Sequence, residues 1–399
     1  MPWTETCVMD QRMSFIVACL NGEESLAALC RHFGISRKTG HKWLQRYRSE
    51  GAAGLEDRSR APHSNARALD GEVVRAVLAL RHRYPSWGPR KVKAWLEMQH
   101  PEQRWPAAST IGDLFDRAGL TRPRKRRRRV PAQTAPLAAC RAPNDVWCAD
   151  FKGWFLTGDG THVEPFTLSD GYSRFLIRCQ AVARNDEAHV WPLLEAAFRD
   201  YGLPRVLRSD NGPPFASRAA GGLSRFAVKL IKAGVLPERI EPGKPQQNGR
   251  HERLHLTLKQ DTAAPPANSL AEQIDRFERF REIYNRERPH EALGQVPPAR
   301  LYRPSPRGFE DQLRSPDYPD EAQVRRVRRA GTIKWKGEEI FISQALTGEP
   351  VGLFSIADDV WLVKYGPIVL GTMKGRQGFI RVGGRASRPD PTANKARDL

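Results

Sequence analysis

The chain has 399 residues, of which 40% are hydrophobic and 28% charged, so it is long enough for two or three domains with buried cores. Its 65 Lys and Arg residues against 45 Asp and Glu residues give a net charge of +20, which favours a polyanionic partner such as nucleic acid. Neither a transmembrane helix nor a signal peptide is expected, because the sequence has no run of about 18 apolar residues and the apolar run 13–20 is flanked by acidic residues. The six cysteines, none of them paired as CxxC, indicate reduced thiols in a cytoplasmic protein.

Residues 1–60 predict a helix-turn-helix DNA-binding domain. Apolar residues at helical spacing between 26 and 33 form one helix, and Ser36 is a suitable N-cap for a second helix from 37 to about 48. Gly40 is unexpected there, because an apolar β-branched residue commonly anchors such a recognition helix. A helical hairpin without DNA-binding function is the alternative. The predicted DNA contacts on the second helix are Arg37, Lys38, Thr39 and Lys42.

Residues 66–120 predict a second helical unit. Apolar spacing indicates helices near 73–80, 92–96 and 111–120, with a Pro- and Gly-containing turn before the middle one. The unit looks like a second helix-turn-helix, although three helices with one apolar face can also be a packing unit. Its predicted DNA contacts are Arg90 and Lys91.

Residues 121–144 predict a basic linker. Its first ten residues, TRPRKRRRRV, include seven basic residues and no acidic residue. Such a polycation suits contact with a phosphate backbone or a minor groove, and a solvated linker is the alternative. The predicted DNA contacts are Arg124, Lys125, Arg126, Arg127, Arg128 and Arg129.

Residues 145–305 alternate strand and helix patterns. The strand patterns lie at 145–152, 165–169, 175–182 and 205–208, with a helix pattern at 187–201 between the last two. This order, three strands, a helix and a strand, is that of an α/β RNase H-like core. The stretch 217–237, rich in Gly and Ala, is expected to connect elements.

Three acids stand out in this region. Asp150 lies inside the first strand pattern, Asp210 ends the fourth, and Glu252 opens a later helical pattern. A carboxylate inside a strand is costly unless something compensates its charge, and a divalent metal ion can do so. Two metal ions about 4 Å apart can support an in-line phosphoryl displacement.

Residues 324–382 predict a small all-β domain, because short alternating strand patterns are separated by turn residues. The tail at 383–399 is rich in Arg, Pro, Asp and Asn and is expected to be disordered. The chain as a whole is thus expected to be multidomain, with α-helical, α/β and all-β parts.

The acid-bearing stretches carry a specific resemblance. VWCADFKGWF, LRSDNGPPF and PGKPQQNGRHERLHLTLK, followed by YNRERPHEAL, resemble in order the D, D and E motifs of insertion-sequence transposases related to retroviral integrases. The resemblance covers about 145–300 and extends to the N-terminal helix-turn-helix. It implies that the all-β domain is an SH3-like DNA-binding barrel.

The resemblance also implies roles for individual residues. Asp150 would bridge two Mg²⁺ ions, for which Mn²⁺ can substitute, and Asp210 and Glu252 would each hold one. Asn211 and Gly212 would shape the turn beside the second acid, Gln247 and Asn248 would belong to a loop near the DNA ends, and Lys259 would contact phosphate.

A competing motif uses the same glutamate. The residues from His251 to His255 match H-E-x-x-H, the signature of zinc metalloproteases. The neighbouring Arg250 and Arg253 disfavour a zinc site, and histidines on a basic helix face near DNA are a further alternative.

The resemblance, together with the basic charge and the helical DNA-binding units, implies a DNA transposase. It would bind the terminal inverted repeats of an insertion sequence, cleave the 3′ end of the element and transfer that end to target DNA. A homo-multimer in the DNA complex, no membrane partner and a bacterial, nucleoid-associated location are expected. The alternative from another class is a non-catalytic DNA-binding regulator derived from a transposase.

Overall fold

The computed structural model describes residues 7–59, 69–121, 137–215, 219–241, 247, 249–374 and 378–382. The chain divides into two compact units, Met1–Ala68 and Leu69–Leu399. Some predictions lie outside the described residues: the predicted DNA contacts Arg124, Lys125, Arg126, Arg127, Arg128, Arg129 and Asn248, and the tail at 383–399.

The first unit contains the predicted helix-turn-helix, which is confirmed. Its helices are α1 (Val8–Asn21), α2 (Leu26–His32) and α3 (Arg37–Glu50). Ser36 caps α3, because its Oγ accepts a hydrogen bond of 3.1 Å from the backbone N–H of Thr39. The three helices enclose a small core of Phe15, Ile16, Leu29, Cys30, Trp43 and Leu55.

Gly40 marks the point where α3 packs closely on its neighbours. A Cβ atom at this position would lie 2.4 Å from Cys30 Sγ and 3.1 Å from Phe15 Cζ. The β-branched residue expected there does not fit, because Cys30 and Phe15 already fill the space.

This packing predicts the effect of a single methyl group. Gly40→Ala is expected to destabilise the first unit by about 1–3 kcal/mol, because overpacking outweighs the helix propensity that alanine gains. Hydrogen exchange in the full chain should rise across α1 to α3 and stay unchanged in the second unit. The double variant Gly40→Ala/Cys30→Ala should recover most of the loss, and wild-type exchange in Gly40→Ala would show that the close contact is wrong.

The second unit begins with three helices, α4 (Gly71–Arg83), α5 (Pro89–Gln99) and α6 (Ala108–Arg117). Val77, Trp87, Val92 and Ile111 are almost fully buried between them. The predicted helices are therefore present and share one apolar core.

A mixed sheet and its helices follow. The elements are β1 (Val146–Phe151), β2 (Phe155–Leu156), β3 (His162–Asp170), β4 (Leu176–Val182), α7 (Glu187–Tyr201), β5 (Val206–Ser209), α8 (Arg225–Lys232), β6 (Leu236–Arg239), α9 (Gly249–Thr262) and α10 (Leu270–Glu282). The sheet has the order β2-β3-β1-β5-β6, with β4 paired to β3. The pairs β1–β3 and β3–β4 are antiparallel, whereas β1–β5 and β5–β6 are parallel. The RNase H-like α/β prediction is confirmed, but the stretch 217–237 is not a simple connection, because it contains α8 and the start of β6.

Helices cover both faces of this sheet. Trp147 and Phe166 point to one face and pack with Leu194 and Phe198 of α7. Cys179 of β4 is paired with Thr167, the neighbour of Phe166 along β3, and it packs with α9 and α10 on the other face. The sheet is therefore buried on both sides, and α9 lies directly against it.

The C-terminal part is all-β, as predicted. Its strands are β7 (Gln323–Arg326), β8 (Thr332–Trp335), β9 (Glu338–Phe341), β10 (Pro350–Ala357), β11 (Val360–Tyr365), β12 (Ile368–Lys374) and β13 (Phe379–Arg381). They form an open sheet of order β13-β12-β11-β10-β7 and a separate β8–β9 hairpin that shares its core. Within 323–374 and 378–382 no closed barrel forms, because the edge strands β7 and β13 do not pair.

No helix among the described residues combines the length and the apolar character that crossing a membrane requires.

Candidate active site

Two of the three predicted acids meet at one edge of the sheet. Ala149 of β1 is paired with Ser209 of the parallel strand β5. The next residues, Asp150 and Asp210, therefore leave the same end of neighbouring strands. Glu252 lies in the first turn of α9, and its charge and that of Asp210 both act on Asp150.

Asp150 is the most strongly perturbed of these carboxyl groups. Its side chain is 17% exposed, and its Oδ1 accepts a hydrogen bond of 2.8 Å from the N–H of Phe151. Burial, followed by the negative charge of Asp210, raises the pKa of Asp150 to about 7. A cation beside these acids would relieve the repulsion that this pKa reflects.

The raised pKa of Asp150 predicts how the stability of the metal-free protein depends on pH. The folded chain holds this proton more tightly than the unfolded chain, whose pKa is about 3.9, so stability falls as pH rises between these two values. In EDTA, wild type should lose more stability between pH 5 and pH 8 than Asp150→Asn. Denaturant unfolding at both pH values measures this loss, with Asp275→Asn, an exposed position on α10, as control. Equal losses in wild type and Asp150→Asn would contradict the raised pKa.

The turn after β5 holds Asp210 in place. The Gly212 N–H donates to Asp210 Oδ1 at 3.0 Å, and Asn211 Nδ2 donates to the Ile240 carbonyl at 2.8 Å. A Cβ atom at Gly212 would lie 3.1 Å from Asp210 Oδ2. Asn211 thus ties the turn to the end of β6, and Gly212 leaves room for the carboxylate.

His251 and His255 of α9 face the sheet. They are 1% and 7% exposed, and the Nε2 atoms lie 2.9 Å and 2.8 Å from Thr167 Oγ1. Burial lowers the pKa of His251 to about 4 and that of His255 to about 2, so both rings are neutral at pH 7. The alternative that these histidines lie on a basic helix face near DNA is therefore wrong, because both rings are buried.

The same contacts disfavour the zinc-protease motif, because both Nε2 atoms meet one threonine hydroxyl. Across the described ranges, no three His, Cys, Asp or Glu side chains are grouped so that they could hold a metal ion. The oxygen donors of Asp150 and Asp210 suit Mg²⁺ in their chemistry. Glu252 is exposed, and the three acids are not grouped closely enough to hold an ion as they stand, so side-chain movement would be needed to complete the set.

Thr167 is not among the predicted site residues. Its neighbours Phe166 and Leu168 pack on the α7 side of the sheet. Because side chains alternate along a strand, this pattern already directs Thr167 to the opposite face, towards α9.

The predicted DNA contacts on α3 and α9 lie in different surroundings. Arg37, Lys38 and Lys42 are exposed on α3, while Thr39 is half-buried and its hydroxyl contacts Ser36 Oγ at 2.8 Å. Lys259 is exposed on α9, two helical turns after Glu252.

Gln247 lies inside the fold, at 5% exposure. Its Oε1 accepts a hydrogen bond of 2.8 Å from the N–H of Glu241, and its Nε2 donates to Glu241 Oε1 at 3.2 Å. These two bonds connect Glu241 and Gln247, the residues on either side of the segment 242–246.

Arg90 and Lys91 contact the segment that follows α10. Arg90 Nη1 lies 3.2 Å from Glu291 Oε1, and Lys91 Nζ donates to the Pro289 carbonyl. Burial lowers the pKa of Lys91 to about 8. In this arrangement both cations attach α5 to the sheet-containing part of the unit.

Known protein families match two regions of this chain, the N-terminal helical region and the α/β core. Two family models described as "Integrase core domain" match residues 141–245 and 233–298. Models described as "Helix-turn-helix domain" and "Homeodomain-like domain" match 11–63 and 39–115. Among solved structures, the HTLV-2 integrase catalytic core domain in complex with magnesium is 15% identical, covers 41% of this chain and 99% of its own, and has a TM-score of 0.33.

Two relatives come from bacterial insertion elements. The chain is 29% identical over 284 residues to a 39.2 kDa protein of insertion element IS476 from Xanthomonas euvesicatoria, covering 70% of this chain and 78% of the relative. It is 30% identical over 235 residues to a 31.7 kDa protein of insertion element IS407 from Burkholderia multivorans, covering 58% of this chain and 80% of the relative. On these matches, the chain belongs to the insertion-element transposases of the integrase superfamily.

Proposed function

We propose that this protein binds the terminal inverted repeats of its element, cleaves the element's 3′ end and joins that end to target DNA. The observation that carries the proposal is the position of Asp150 and Asp210 at the ends of adjacent parallel strands, with the charge of Glu252 acting on Asp150. Carboxylates in this arrangement are suited to phosphoryl transfer.

Each of the three acids would have its own role in metal binding. Asp150 would bridge two Mg²⁺ ions, and Asp210 and Glu252 would each hold one. When bound, Mg²⁺, or Mn²⁺ in its place, supplies the Lewis acidity that activates the attacking oxygen and stabilises the leaving oxygen. Asn211 and Gly212 support the site by fixing the turn that carries Asp210.

The chemistry then needs two displacements at phosphorus. In the first, a water oxygen bonds to the phosphorus at the element end, and the bond to the 3′ oxygen breaks, which leaves a 3′-hydroxyl. In the second, that hydroxyl gives up its proton and bonds to the phosphorus of a target phosphate, and the bond from this phosphorus to the target 3′ oxygen breaks, so that the oxygen leaves and takes up a proton. No covalent bond between protein and DNA is required.

DNA contact would come from separate surfaces. The exposed cations Arg37, Lys38 and Lys42 of α3, together with Thr39, suit a major groove, and Lys259 suits a phosphate near Glu252. The segment from Arg124 to Arg129 would follow the DNA backbone. Two element ends must be held together for joining, so a homo-multimer is proposed for the DNA complex.

Cleavage of a labelled duplex that carries the element's own terminal repeat tests this function. Wild type in Mg²⁺ should release 3′-hydroxyl ends, and EDTA or Asp150→Asn should abolish the product, while Asp275→Asn should cleave as wild type does. Repeat binding without cleavage by wild type would overturn the proposal and identify a DNA-binding regulator instead.

A further inference from the structure

Trp154 carries the most exposed large apolar side chain of the described ranges, with 64% of its surface accessible to solvent. Its indole is stacked on the ring of His162, with 5.3 Å between the ring centroids and 27° between the ring planes. His162 is exposed as well. These two rings together form an aromatic platform on the surface of the α/β core.

The platform lies on the outer side of the β2–β3 hairpin. Phe155 of β2 is paired with Val163 of β3, and both pack in the apolar core beside α9 and α10. Because side chains alternate along a strand, the adjacent residues Trp154 and His162 point the other way, to solvent. The register of the two strands therefore keeps both rings exposed.

The turn of this hairpin is attached to the chain that precedes α10. The backbone N–H of Gly158 donates to the Ala267 carbonyl, and that of Asp159 donates to the Asn268 carbonyl, each at 2.8 Å. The platform is thus carried by paired strands with an anchored turn. A ligand that binds there would lose little free energy to ordering the hairpin.

The platform and the candidate active site lie at the same end of the sheet. β1 ends just after Asp150, and the antiparallel strand β3 begins at His162. Four residues separate Trp154 from Asp150, so their Cα atoms are at most about 14 Å apart. This distance corresponds to about four stacked nucleotides of one DNA strand. A DNA end that reaches Asp150 therefore also comes within reach of the platform.

The charge and shape of this surface favour a nucleobase as its occupant. The chain has a net charge of +20, and Lys152, between the platform and Asp150, adds a cation whose charge acts on Asp150. A cation there suits a phosphate, and an exposed indole suits the flat face of any base. Bases inside a duplex stack on each other, so the occupant must be unpaired. The last base of a duplex has a stacking neighbour on one side only and is the most easily freed.

We propose that the aromatic platform binds one unpaired base of the DNA end held at Asp150 and Asp210. Trp154 stacks on the base, and His162 supports the indole from behind. The inference rests on the proposed function, because it requires a DNA end at these acids. The platform recognises DNA structure and not DNA sequence, since stacking accepts every base.

A thermodynamic cycle between protein and DNA tests this contact. The full chain is titrated, in EDTA and at one salt concentration, with a terminal-repeat duplex whose end bases on one strand are unpaired, and with the same DNA made abasic there. Wild type should bind the abasic DNA about fivefold or more weakly. Trp154→Ala should lose as much affinity for the DNA with bases and nothing further on the abasic DNA. Trp154→Phe should keep most of the affinity, because it keeps an aromatic face.

Tyr172→Ala is the matched control, because Tyr172 is an exposed aromatic residue just beyond the opposite end of β3. It should bind both DNAs as wild type does. Wild-type binding by Trp154→Ala, or an equal loss on both DNAs, would overturn the inference. If that equal loss came with a smaller oligomer in sedimentation without DNA, the platform would be a contact between copies of the chain.

Cleavage of the paired repeat duplex in Mg²⁺ reports separately on the proposed function. Cleavage by wild type without the coupling to Trp154 would overturn only this inference. The coupling without any cleavage by wild type would overturn the proposed function and leave the base-binding platform. Failure of wild type to bind either DNA would overturn both.

Discussion

Replacing Glu252 with glutamine is expected to reduce strand transfer by about a thousandfold or more while the fold and DNA binding are retained. Glu252 is exposed on α9, so an isosteric amide should not disturb the packing of the helix. A metal ion acting as Lewis acid supplies several kcal/mol of transition-state stabilisation. Since each ~1.4 kcal/mol changes the rate tenfold, loss of one ion's carboxylate has a large effect.

Joining rates measured in a single turnover check this expectation, with repeat binding measured in parallel. Glu272→Gln is the matched control, because Glu272 is an exposed glutamate in the first turn of the neighbouring helix α10. It should join at the wild-type rate. Joining by Glu252→Gln within tenfold of wild type would show that the third acid is not part of the metal site.

Replacing Arg208 with methionine is expected to destabilise the second unit by about 3–5 kcal/mol, the usual cost of leaving a buried charge without its partner. The Arg208 side chain is 4% exposed, and its Nε lies 2.7 Å from Glu238 Oε2. It also donates to the Ala138 carbonyl at 2.7 Å. Its loss would leave Glu238 uncompensated beside β5.

Denaturant unfolding at pH 7 measures this cost. The double variant Arg208→Met/Glu238→Gln removes the uncompensated charge and should recover much of the stability. Arg205→Met is the contrast, because Arg205 is 60% exposed and lies 3.8 Å from Asp145, so its loss should change stability by less than about 1 kcal/mol. A small effect of Arg208→Met would contradict the role of this ion pair in the sheet.

The elements that sequence predicts well are those determined by local pattern. Ser36 begins α3 because its side chain caps the helix, and the apolar residues around Asp150 form β1 because both faces of that strand are buried. The order of strand and helix patterns along the chain then indicates an RNase H-like core. That Asp150 and Asp210 belong to one site is implied by the resemblance to the D, D and E motifs, and the pairing of β1 with β5 explains their proximity.

Elements that depend on distant partners could not be predicted in the same way. The sequence of β6, LPER, contains proline and two charged residues and has little strand propensity. It forms a strand beside β5, where Arg208 neutralises the charge of Glu238. Nothing near residue 238 in the sequence indicates that pairing.

Distant partners also explain why the surroundings of the two histidines and of the α5 cations could not be predicted. His251 and His255 have the spacing of a zinc motif, but their partner is Thr167, more than 80 positions earlier. Arg90 and Lys91 look like DNA contacts in isolation, yet their partners Glu291 and Pro289 lie about 200 positions later. A local pattern identifies a charged or titratable residue, whereas its partner comes from the tertiary fold.

Joining of a labelled DNA end that already carries a 3′-hydroxyl tests the central claim most directly. The substrate needs no cleavage, so the product reports only the attack of that hydroxyl on target DNA. Wild type in Mg²⁺ should give joined products, and EDTA, Asp150→Asn, Asp210→Asn and Glu252→Gln should each abolish them. Joined products in EDTA, or undiminished joining by any of the three variants, would contradict a metal site built from these carboxylates.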